Sequence, residues 1–252
     1  MELGDTLPGP REVNVWIVEL DASNTTVETC ARSLSTDERE RVSRFRFLHL
    51  KNDFTLSRGI LRILLGRYLA IEPDRLRFAY GPRGKPRLAM EKSPLEFNLA
   101  HSGRFAVYAF AAGFELGVDI EEVRPIHDQE NIVRRYFSQE ECEEWLGLDL
   151  TKRNDAFFRC WTRKEAYLKA LGDGFSIPLN SFSVSLRPGE LVAGEWSLCS
   201  MVPADGYICS LAVPHRGGSV RILPRLTAEA VLELARGTTP FPPEGISDRL
   251  PK

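Results

Sequence analysis

Hydrophobic and polar residues alternate with a strand-like period in some parts of this chain and with a helical period in others. The order of these segments recurs once along the chain. Residues 13–20 have the composition of a β-strand, helical spacing dominates 51–70, and the apolar runs at 97–101 and 105–112 predict a hairpin. The order of strand, helices and hairpin then returns after residue 113. The pattern predicts an α+β fold of two similar halves (a pseudo-twofold), each with a small antiparallel sheet packed on helices, and a ligand site between the halves.

Three segments follow from this pattern. Residues 1–112 form the predicted N-terminal α+β half, 113–225 the C-terminal half, and 226–252 a C-terminal extension. In the second half we expect antiparallel strands at 181–186, 195–200 and 207–213, a fourth short strand at 220–223, and a mobile tail from residue 241. Two capping-box patterns, Ser35 with Glu38 and Ser138 with Glu141, predict helix starts.

The most informative predicted helix ends at Gly172. Its apolar stripe consists of Phe157, Phe158, Trp161, Leu168 and Leu171. Glu165 and Lys169 are four residues apart and therefore share a helix face, with Lys164 one position round. Such a pair is most often an ordinary surface ion pair. A chemical role depends on what else in the chain meets this face.

A second informative stretch is the predicted strand at 116–122. Val118 and Ile120 point to one face and Asp119 and Glu121 to the other, which places two carboxylates about 7 Å apart. Hard divalent cations such as magnesium bind oxygen pairs of this kind, completed by water and phosphate oxygens. A solvent-facing edge strand carries the same alternation without any metal, and both interpretations stay open at this point.

Basic residues occur in two places where they could meet a phosphate. Arg58 and Arg62 share a helix face by their spacing, although a solvated basic face explains them as well. Arg83, Lys85 and Pro86 lie in a Gly/Pro-rich turn, where backbone can approach a ligand closely and Lys85 could reach a phosphate. Such a turn is more often only a turn.

Composition narrows the class of protein. The chain has 33 basic and 35 acidic residues among 252, so its overall charge does not indicate nucleic-acid binding. Five scattered cysteines predict reduced thiols rather than a disulfide framework or a zinc site. There is no signal-peptide pattern and no apolar run near the ~20 residues of a membrane span, so we expect a cytoplasmic protein that does not bind membranes.

Four short segments then point to one family. They are 84–86 (GKP), 97–103 (FNLAHSG), 117–121 (GVDIE) and 161–169 (WTRKEAYLK), continued by 175–186 (FSIPLNSFSVSL). In order and spacing they resemble the motifs of the Sfp-type 4′-phosphopantetheinyl transferases. One residue departs from the pattern, because Ala100 stands where the family usually has Ser before the His. A hydroxyl contact to the cofactor phosphate is therefore absent from this side chain.

The resemblance implies a magnesium-dependent transferase that moves 4′-phosphopantetheine from coenzyme A to a serine of an acyl or peptidyl carrier protein, releasing 3′,5′-ADP. It implies Asp119, Glu121 and Glu165 as metal ligands, and Glu165, Lys169 and His101 as catalytic residues. A carboxylate would take the serine proton directly or through a metal-bound water; Glu165 is favoured for this step, and the sequence does not fix which group accepts the proton. The implied coenzyme A contacts are Lys51, Arg58, Arg83, Lys85, Pro86, Ala100, His101, Lys164 and Lys169.

The partner and the assembly also follow from the resemblance. Carrier proteins of this class are acidic helical bundles, and residues 123–146, with Arg134, Arg135 and Phe137, are the predicted docking segment. The alternative is that Tyr136 and Phe137 are simply core residues. One chain supplies both sides of the site, so we expect a monomer. The residues favour no carrier among the fatty-acid, polyketide and nonribosomal-peptide classes, and no choice between magnesium and manganese.

Two other functions use the same residues differently. A magnesium-dependent phosphohydrolase would use the carboxylates to hydrolyse a small pyrophosphate, but no further water-activating cluster accompanies the three acids. A non-catalytic module that binds coenzyme A or a carrier protein would lack at least one of Asp119, Glu165 and Lys169, and all three are present.

Overall fold

The computed structural model describes residues 7–81, 84–172, 177–189, 191–215, 219–237, 241 and 245–249, with the backbone alone for 191–193 and 246–249. The first series of elements is β1 (Glu12–Glu19), α1 (Asn24–Ser33), α2 (Thr36–Arg44), α3 (Leu48–Leu69), β2 (Phe78–Tyr80), β3 (Pro86–Leu88), β4 (Glu96–Ser102) and β5 (Phe105–Ala111). The second is β6 (Gly117–Glu122), α4 (Gln129–Tyr136), α5 (Gln139–Leu146), α6 (Leu150–Leu171), β7 (Leu191–Ala193), β8 (Trp196–Met201) and β9 (Tyr207–Pro214). The chain continues with β10 (Ser219–Ile222), β11 (Leu226–Thr227), α7 (Ala228–Arg236) and β12 (Ile246–Arg249).

The strands form two main sheets and one small ribbon. In the first sheet the order is β12-β10-β1-β5-β4, with β11 also paired to β1. The second sheet has the order β6-β9-β8-β7 and is antiparallel throughout. Among the described residues, β2 and β3 pair only with each other. Helices pack on both sheets, which confirms the predicted α+β class.

The C-terminal residues differ from the prediction. The strand predicted at 220–223 was expected in the second sheet, but β10 lies parallel to β1 in the first. α7 packs near α3, and Phe241 is buried and stacks on Trp16 with ring centroids 5.0 Å apart. β10, β11, α7, Phe241 and β12 therefore complete the first sheet and its core, and the tail predicted from residue 241 is wrong for Phe241 and β12. The boundaries at 112 and 225 stay predictions.

The strand predicted at 181–186 is also wrong. A 3-10 turn covers Leu179–Ser181, and residues 182–187 join neither described sheet. These residues are held by side chains of α6 instead of by strand pairing. Arg163 donates to the carbonyl oxygens of Ser185 and Arg187 at 2.6 and 3.0 Å. Buried carbonyl groups need such donors when no neighbouring strand supplies them.

Three apolar layers hold the fold together. The first lies between α3 and the first sheet, and the third lies between α6 and the second sheet. The middle layer contains residues of both sheets, among them Val15, Val107, Val118 and Leu211. Because the two sheets face each other across this layer, edge strand β4 lies beside β6, where the amide of Val118 donates to Asn98 Oδ1 at 2.9 Å.

Each half repeats one buried ion pair, which the sequence pattern did not predict. Glu38, in the capping box that begins α2, accepts a bond from Arg62 of α3 at 2.5 Å. Glu141, in the capping box that begins α5, contacts Lys164 of α6 at 2.8 Å. All four side chains are at most 2% exposed. Each cation is the fifteenth residue of a 22-residue helix.

The two cations have matching backbone partners as well. Each donates to two carbonyl groups three residues apart, one from the first residue of a 3-10 turn and one from the residue that follows the turn. These are the carbonyls of Pro73 and Leu76 for Arg62, and those of Leu179 and Phe182 for Lys164. The repetition of helix position, capping box and carbonyl pair supports the pseudo-twofold relation between the halves.

Strand β6 and helix α6 approach each other closely at Gly117. A Cβ added there would lie 2.0 Å from the carbonyl oxygen of Ala166 and 2.4 Å from the nitrogen of Ala170. Because both neighbours are backbone atoms, a side chain would force the strand and the helix apart. We expect Gly117→Ala to lower the free energy of unfolding by about 1–3 kcal/mol, measured by urea denaturation.

The matched control for this substitution is Gly147→Ala. An added Cβ at Gly147 would have its nearest neighbour at 3.5 Å, an ordinary contact. We expect its unfolding free energy to stay within about 0.5 kcal/mol of the unmodified chain. Equal stability of both variants would show that β6 and α6 can separate without cost.

Candidate active site

A cavity of about 360 Å³ opens between the β2–β3 ribbon, strand β4 and the last turns of helix α6. It is lined by Gly84, Lys85, Pro86, Asn98, Leu99, Glu165, Leu168, Lys169 and Gly172. Four residues predicted from the sequence to serve the site, Lys85, Pro86, Glu165 and Lys169, thus meet at one cavity. The lining includes residues of both series of elements, as a site between the halves requires.

Within residues 161–169, helix α6 directs some side chains into the core and others toward the cavity. Thr162, Arg163 and Lys164 are fully buried, whereas Glu165 and Lys169 are half-buried at the cavity. The helical period separates them, because residues four apart share a face while adjacent residues do not. The prediction that Glu165 and Lys169 share a face is confirmed.

Lys164 does not bind the cofactor in the way the resemblance implied. Its ammonium contacts Glu141 Oε2 at 2.8 Å and donates to the carbonyl oxygens of Leu179 and Phe182 at 2.7 and 2.6 Å. A lysine ammonium has three protons, and here each has an acceptor. Lys164 is therefore a structural residue of the second half, and its proposed cofactor contact is corrected.

Lys169 pairs with a different acid from the one the sequence suggested. Its Nζ lies 2.6 Å from Asp119 Oδ1 and 3.1 Å from the carbonyl oxygen of Val118. The resting partner was expected to be Glu165, four residues away on the helix. Instead, the ion pair joins α6 to β6, the two elements that carry the predicted metal ligands.

Asp119 has an unusual electrostatic environment. Its side chain is 9% exposed, and burial raises its pKa to about 6. Lys169 opposes that shift, whereas the charges of Glu165 and Glu121 reinforce it. The three acids predicted as metal ligands are therefore close enough to influence one another. Perturbed carboxylates of this kind are concentrated at functional sites.

The donor set fits a magnesium ion that is shared with a substrate. Asp119 Oδ2 is buried without a hydrogen-bond donor, so one carboxylate oxygen is left for a cation. Glu121 Oε2 accepts from Ser102 Oγ at 2.8 Å, which orients that second carboxylate. Within the described residues, no three Asp, Glu, His or Cys side chains converge tightly enough to hold a metal unaided. Magnesium usually takes only one or two carboxylates, with phosphates and water completing its shell.

His101 and its neighbour Ala100 point to opposite faces of β4. His101 faces α3, where Asp53 lies, and desolvation lowers its pKa, with Lys169 acting in the same direction and Asp53 against it. The neutral imidazole is thus favoured near pH 7, and it can donate one hydrogen bond. The Ala100 methyl is buried in the layer between the sheets. Its side chain therefore makes no ligand contact, and only its backbone is left for that role.

Arg58 and Arg62 of α3 do not share a phosphate site. Arg62 is 1% exposed and its guanidinium is engaged by Glu38 and two backbone carbonyls, so its phosphate role is corrected. Arg58 is also buried, with Nε 3.5 Å from Glu38 Oε1 and its guanidinium 5.9 Å from the ring of Tyr80. Burial lowers the pKa of Arg58, and its Nη1 has no hydrogen-bond partner. Arg58 therefore keeps a donor for a ligand.

The remaining predicted contacts have different outcomes. Lys51 is half-buried in the first turn of α3, and its cofactor role stays a prediction. Arg83 lies outside the described residues. Pro86 is buried in β3 and lines the cavity. Lys85 also lines the cavity, but its ammonium is engaged by protein oxygens rather than left open for a phosphate.

Sequence reasoning missed two residues that shape the site. Asn98 is 4% exposed, lines the cavity and accepts the Val118 amide bond that joins β4 to β6. A polar residue inside an apolar strand run was the available signal for Asn98. Glu115 pairs with Lys85 at 2.9 Å, and no local pattern indicates a partner 30 residues away.

The predicted docking segment is only partly a surface. Phe137 is 2% exposed and stacks on Phe157 at 5.5 Å, so the core alternative holds for this residue. Arg134 and Arg135 are exposed, and Arg134 pairs with Glu130 on the same helix.

Within the part of the chain that the structure describes, no helix has the length and apolar character needed to cross a membrane.

Comparisons with known proteins give matches across most of the chain. Residues 115–206 match the family model of the 4′-phosphopantetheinyl transferase superfamily, and residues 19–112 match the model of the 4′-phosphopantetheinyl transferase N-terminal region. The chain is 40% identical over 212 residues to the 4′-phosphopantetheinyl transferase HetI of Nostoc sp. (strain PCC 7120), covering 82% of this chain and 89% of that protein.

Two further relatives are more distant. The 4′-phosphopantetheinyl transferase Sfp of Bacillus subtilis (strain 168) is 33% identical over 162 residues, which cover 64% of this chain and 70% of Sfp. A human protein named L-aminoadipate-semialdehyde dehydrogenase-phosphopantetheinyl transferase is 29% identical over 180 residues, covering 65% of this chain and 56% of that protein.

Proposed function

Because the chain belongs to the 4′-phosphopantetheinyl transferase superfamily, we propose that it transfers 4′-phosphopantetheine from coenzyme A to a serine of an acyl or peptidyl carrier protein. The observation that carries this proposal is the cavity between the halves, where Glu165 and Lys169 stand beside the buried Asp119. A pyrophosphate substrate needs both a cation and a carboxylate at its reacting end, and this cavity has both.

The transfer exchanges the phosphoanhydride bond of the coenzyme A pyrophosphate for a phosphodiester bond to the carrier serine. The serine oxygen of the carrier attacks the phosphorus that bears pantetheine, the bond from that phosphorus to the bridging oxygen breaks, and 3′,5′-ADP leaves with the electron pair. The serine proton needs an acceptor within hydrogen-bond reach, and Glu165, half-buried at the cavity wall, supplies a carboxylate for it. His101 donates a hydrogen bond to a phosphate oxygen.

Negative charge on the pyrophosphate is neutralised by two groups. Lys169 offers a point charge at the cavity wall, and a bound phosphate gives its ammonium an acceptor besides Asp119. A magnesium ion, when bound, stabilises charge on the leaving phosphate, and Asp119, Glu121 and Glu165 would hold it. The unpartnered Asp119 Oδ2 is the oxygen best placed for that contact.

The assembly and compartment are part of the same proposal. Residues on both sides of the cavity come from one chain, so no second copy is needed to complete the site. We infer that the protein acts as a monomer in the cytoplasm, where coenzyme A and carrier proteins meet. Backbone atoms near Pro86 are proposed to pack on the adenine, and Arg58 and Lys51 to contact phosphate.

Mass spectrometry of an apo carrier protein tests the proposal. The carrier is incubated with enzyme, coenzyme A and magnesium, and fatty-acid, polyketide and nonribosomal-peptide carriers are compared side by side. We expect the mass of at least one carrier to increase by one phosphopantetheine, and chelation of the metal to abolish the reaction. Hydrolysis of coenzyme A without labelling would favour the phosphohydrolase, and binding without either reaction would favour the non-catalytic module.

A further inference from the structure

One ammonium group connects the two elements that carry the candidate active site. Lys85 Nζ donates to the carbonyl oxygen of Lys169 at 2.8 Å and to that of Leu116 at 3.3 Å. It also contacts Glu115 Oε2 at 2.9 Å, and the Lys85 side chain is only 9% exposed. Leu116 directly precedes β6, and Lys169 lies in the last turn of α6. The ammonium therefore holds the start of β6 against the end of α6.

The chemistry of a helix end explains why a cation is stable there. The last four carbonyl groups of an α-helix have no partner within the helix, and α6 ends at Leu171, so the carbonyl of Lys169 is one of them. A cation near the C-terminus also interacts favourably with the helix dipole. Since an ammonium has three protons and Lys85 has three acceptors, none is left for a phosphate.

This contact bears on the site through Lys169 itself. Lys85 binds the backbone carbonyl of Lys169, and the side-chain ammonium of the same Lys169 lies 2.6 Å from Asp119 Oδ1. Lys85 also binds the backbone carbonyl of Leu116, which lies three residues before Asp119 in the chain. Gly117 has no side chain, which allows β6 and α6 to lie in direct contact. The three bonds of the Lys85 ammonium, called the Lys85 clamp below, stabilise the same contact between β6 and α6.

We infer that Lys85 is a positioning residue, which sets the relative placement of Lys169 and Asp119, rather than a phosphate contact. The inference rests on the proposed function and refines it. A phosphate contact would act on the binding of coenzyme A and would raise KM when removed. A positioning residue aligns other groups with the transition state, so its removal would lower kcat.

The first test is steady-state kinetics of Lys85→Met with coenzyme A and a carrier protein. We expect kcat to fall about tenfold and KM for coenzyme A to change by less than about threefold. Glu115→Gln alters a half-exposed partner of the same clamp, so it should lower kcat in the same direction but less. The double variant should be no slower than Lys85→Met alone, because both changes act on one contact.

Hydrogen exchange provides a readout that is independent of activity. In Lys85→Met we expect amides of residues 166–172 to exchange faster than in the unmodified chain, while those of residues 58–65 in α3 exchange at the same rate. Unchanged exchange at 166–172 would overturn the clamp. A tenfold higher KM with unchanged kcat would overturn it as well, in favour of a phosphate contact.

The two proposals fail in distinguishable ways. If the unmodified chain labels no carrier protein, the proposed transferase function fails, and the exchange comparison still decides whether Lys85 holds the end of α6. If the unmodified chain is active and Glu115→Gln and Lys85→Met both retain full kcat, only the positioning role is lost.

Discussion

Replacing Glu165 by glutamine should reduce the rate of carrier-protein labelling about 100-fold, as expected when a charged group at the reacting centre is lost. The side chain lines the cavity and raises the pKa of the buried Asp119 through its charge. Glutamine keeps the shape but can neither accept the serine proton nor act as an anionic metal ligand. The initial rate of mass gain on the carrier measures the effect.

The control for Glu165→Gln lies on the same helix. Asp155→Asn makes the equivalent acid-to-amide change on α6 at an exposed position, and we expect it to label the carrier at the unmodified rate. Both variants should unfold at urea concentrations close to that of the unmodified chain. Full activity of Glu165→Gln would remove Glu165 from both the proton-transfer and the metal-binding roles.

Replacing Lys164 by methionine should lower the free energy of unfolding by about 3–5 kcal/mol, because it leaves Glu141 as an uncompensated buried charge. Both partners of the pair are almost completely inaccessible to water. The two carbonyl groups that Lys164 satisfies, those of Leu179 and Phe182, would also lose their donor. Urea denaturation followed by tryptophan fluorescence measures the change.

Two variants separate the structural role of Lys164 from a cofactor role. Lys164→Met combined with Glu141→Gln should recover part of the lost stability, since no buried charge is then left unpaired. Lys169→Met, at a position 30% exposed on the same helix, should cost less stability than Lys164→Met and yet lose most activity, because the raised pKa of Asp119 lets that carboxylate take up a proton when its partner is removed. Wild-type stability of Lys164→Met with a raised KM for coenzyme A would contradict this assignment.

Local patterns were sufficient for much of the fold. The capping boxes at Ser35 and Ser138 begin α2 and α5 as predicted, because their bonds form within four residues. The shared face of Glu165 and Lys169 followed from the helical period alone. The alternation in β6 correctly put Val118 and Ile120 on one strand face, which the structure packs into the core between the sheets.

What the sequence did not reveal depends on contacts between distant segments. A four-residue strand such as β10 has the same composition whichever sheet it joins, and its pairing with β1 is set by tertiary packing. The ion pair of Lys169 with Asp119 likewise crosses 50 residues. Lys164 is a different case, since it lies seven residues after Phe157 and therefore on the buried face of α6. That spacing was available as a signal.

The pairing of β10 with β1 also has a consequence for the order of events during synthesis. Glu12 pairs with Ser219, so one edge of β1 has no neighbour until residue 219 has left the ribosome. The second sheet, whose strands all lie between residues 117 and 214, can close earlier. The half that is translated first is therefore the half that is completed last, and β1 presents an open edge to other nascent chains in the meantime.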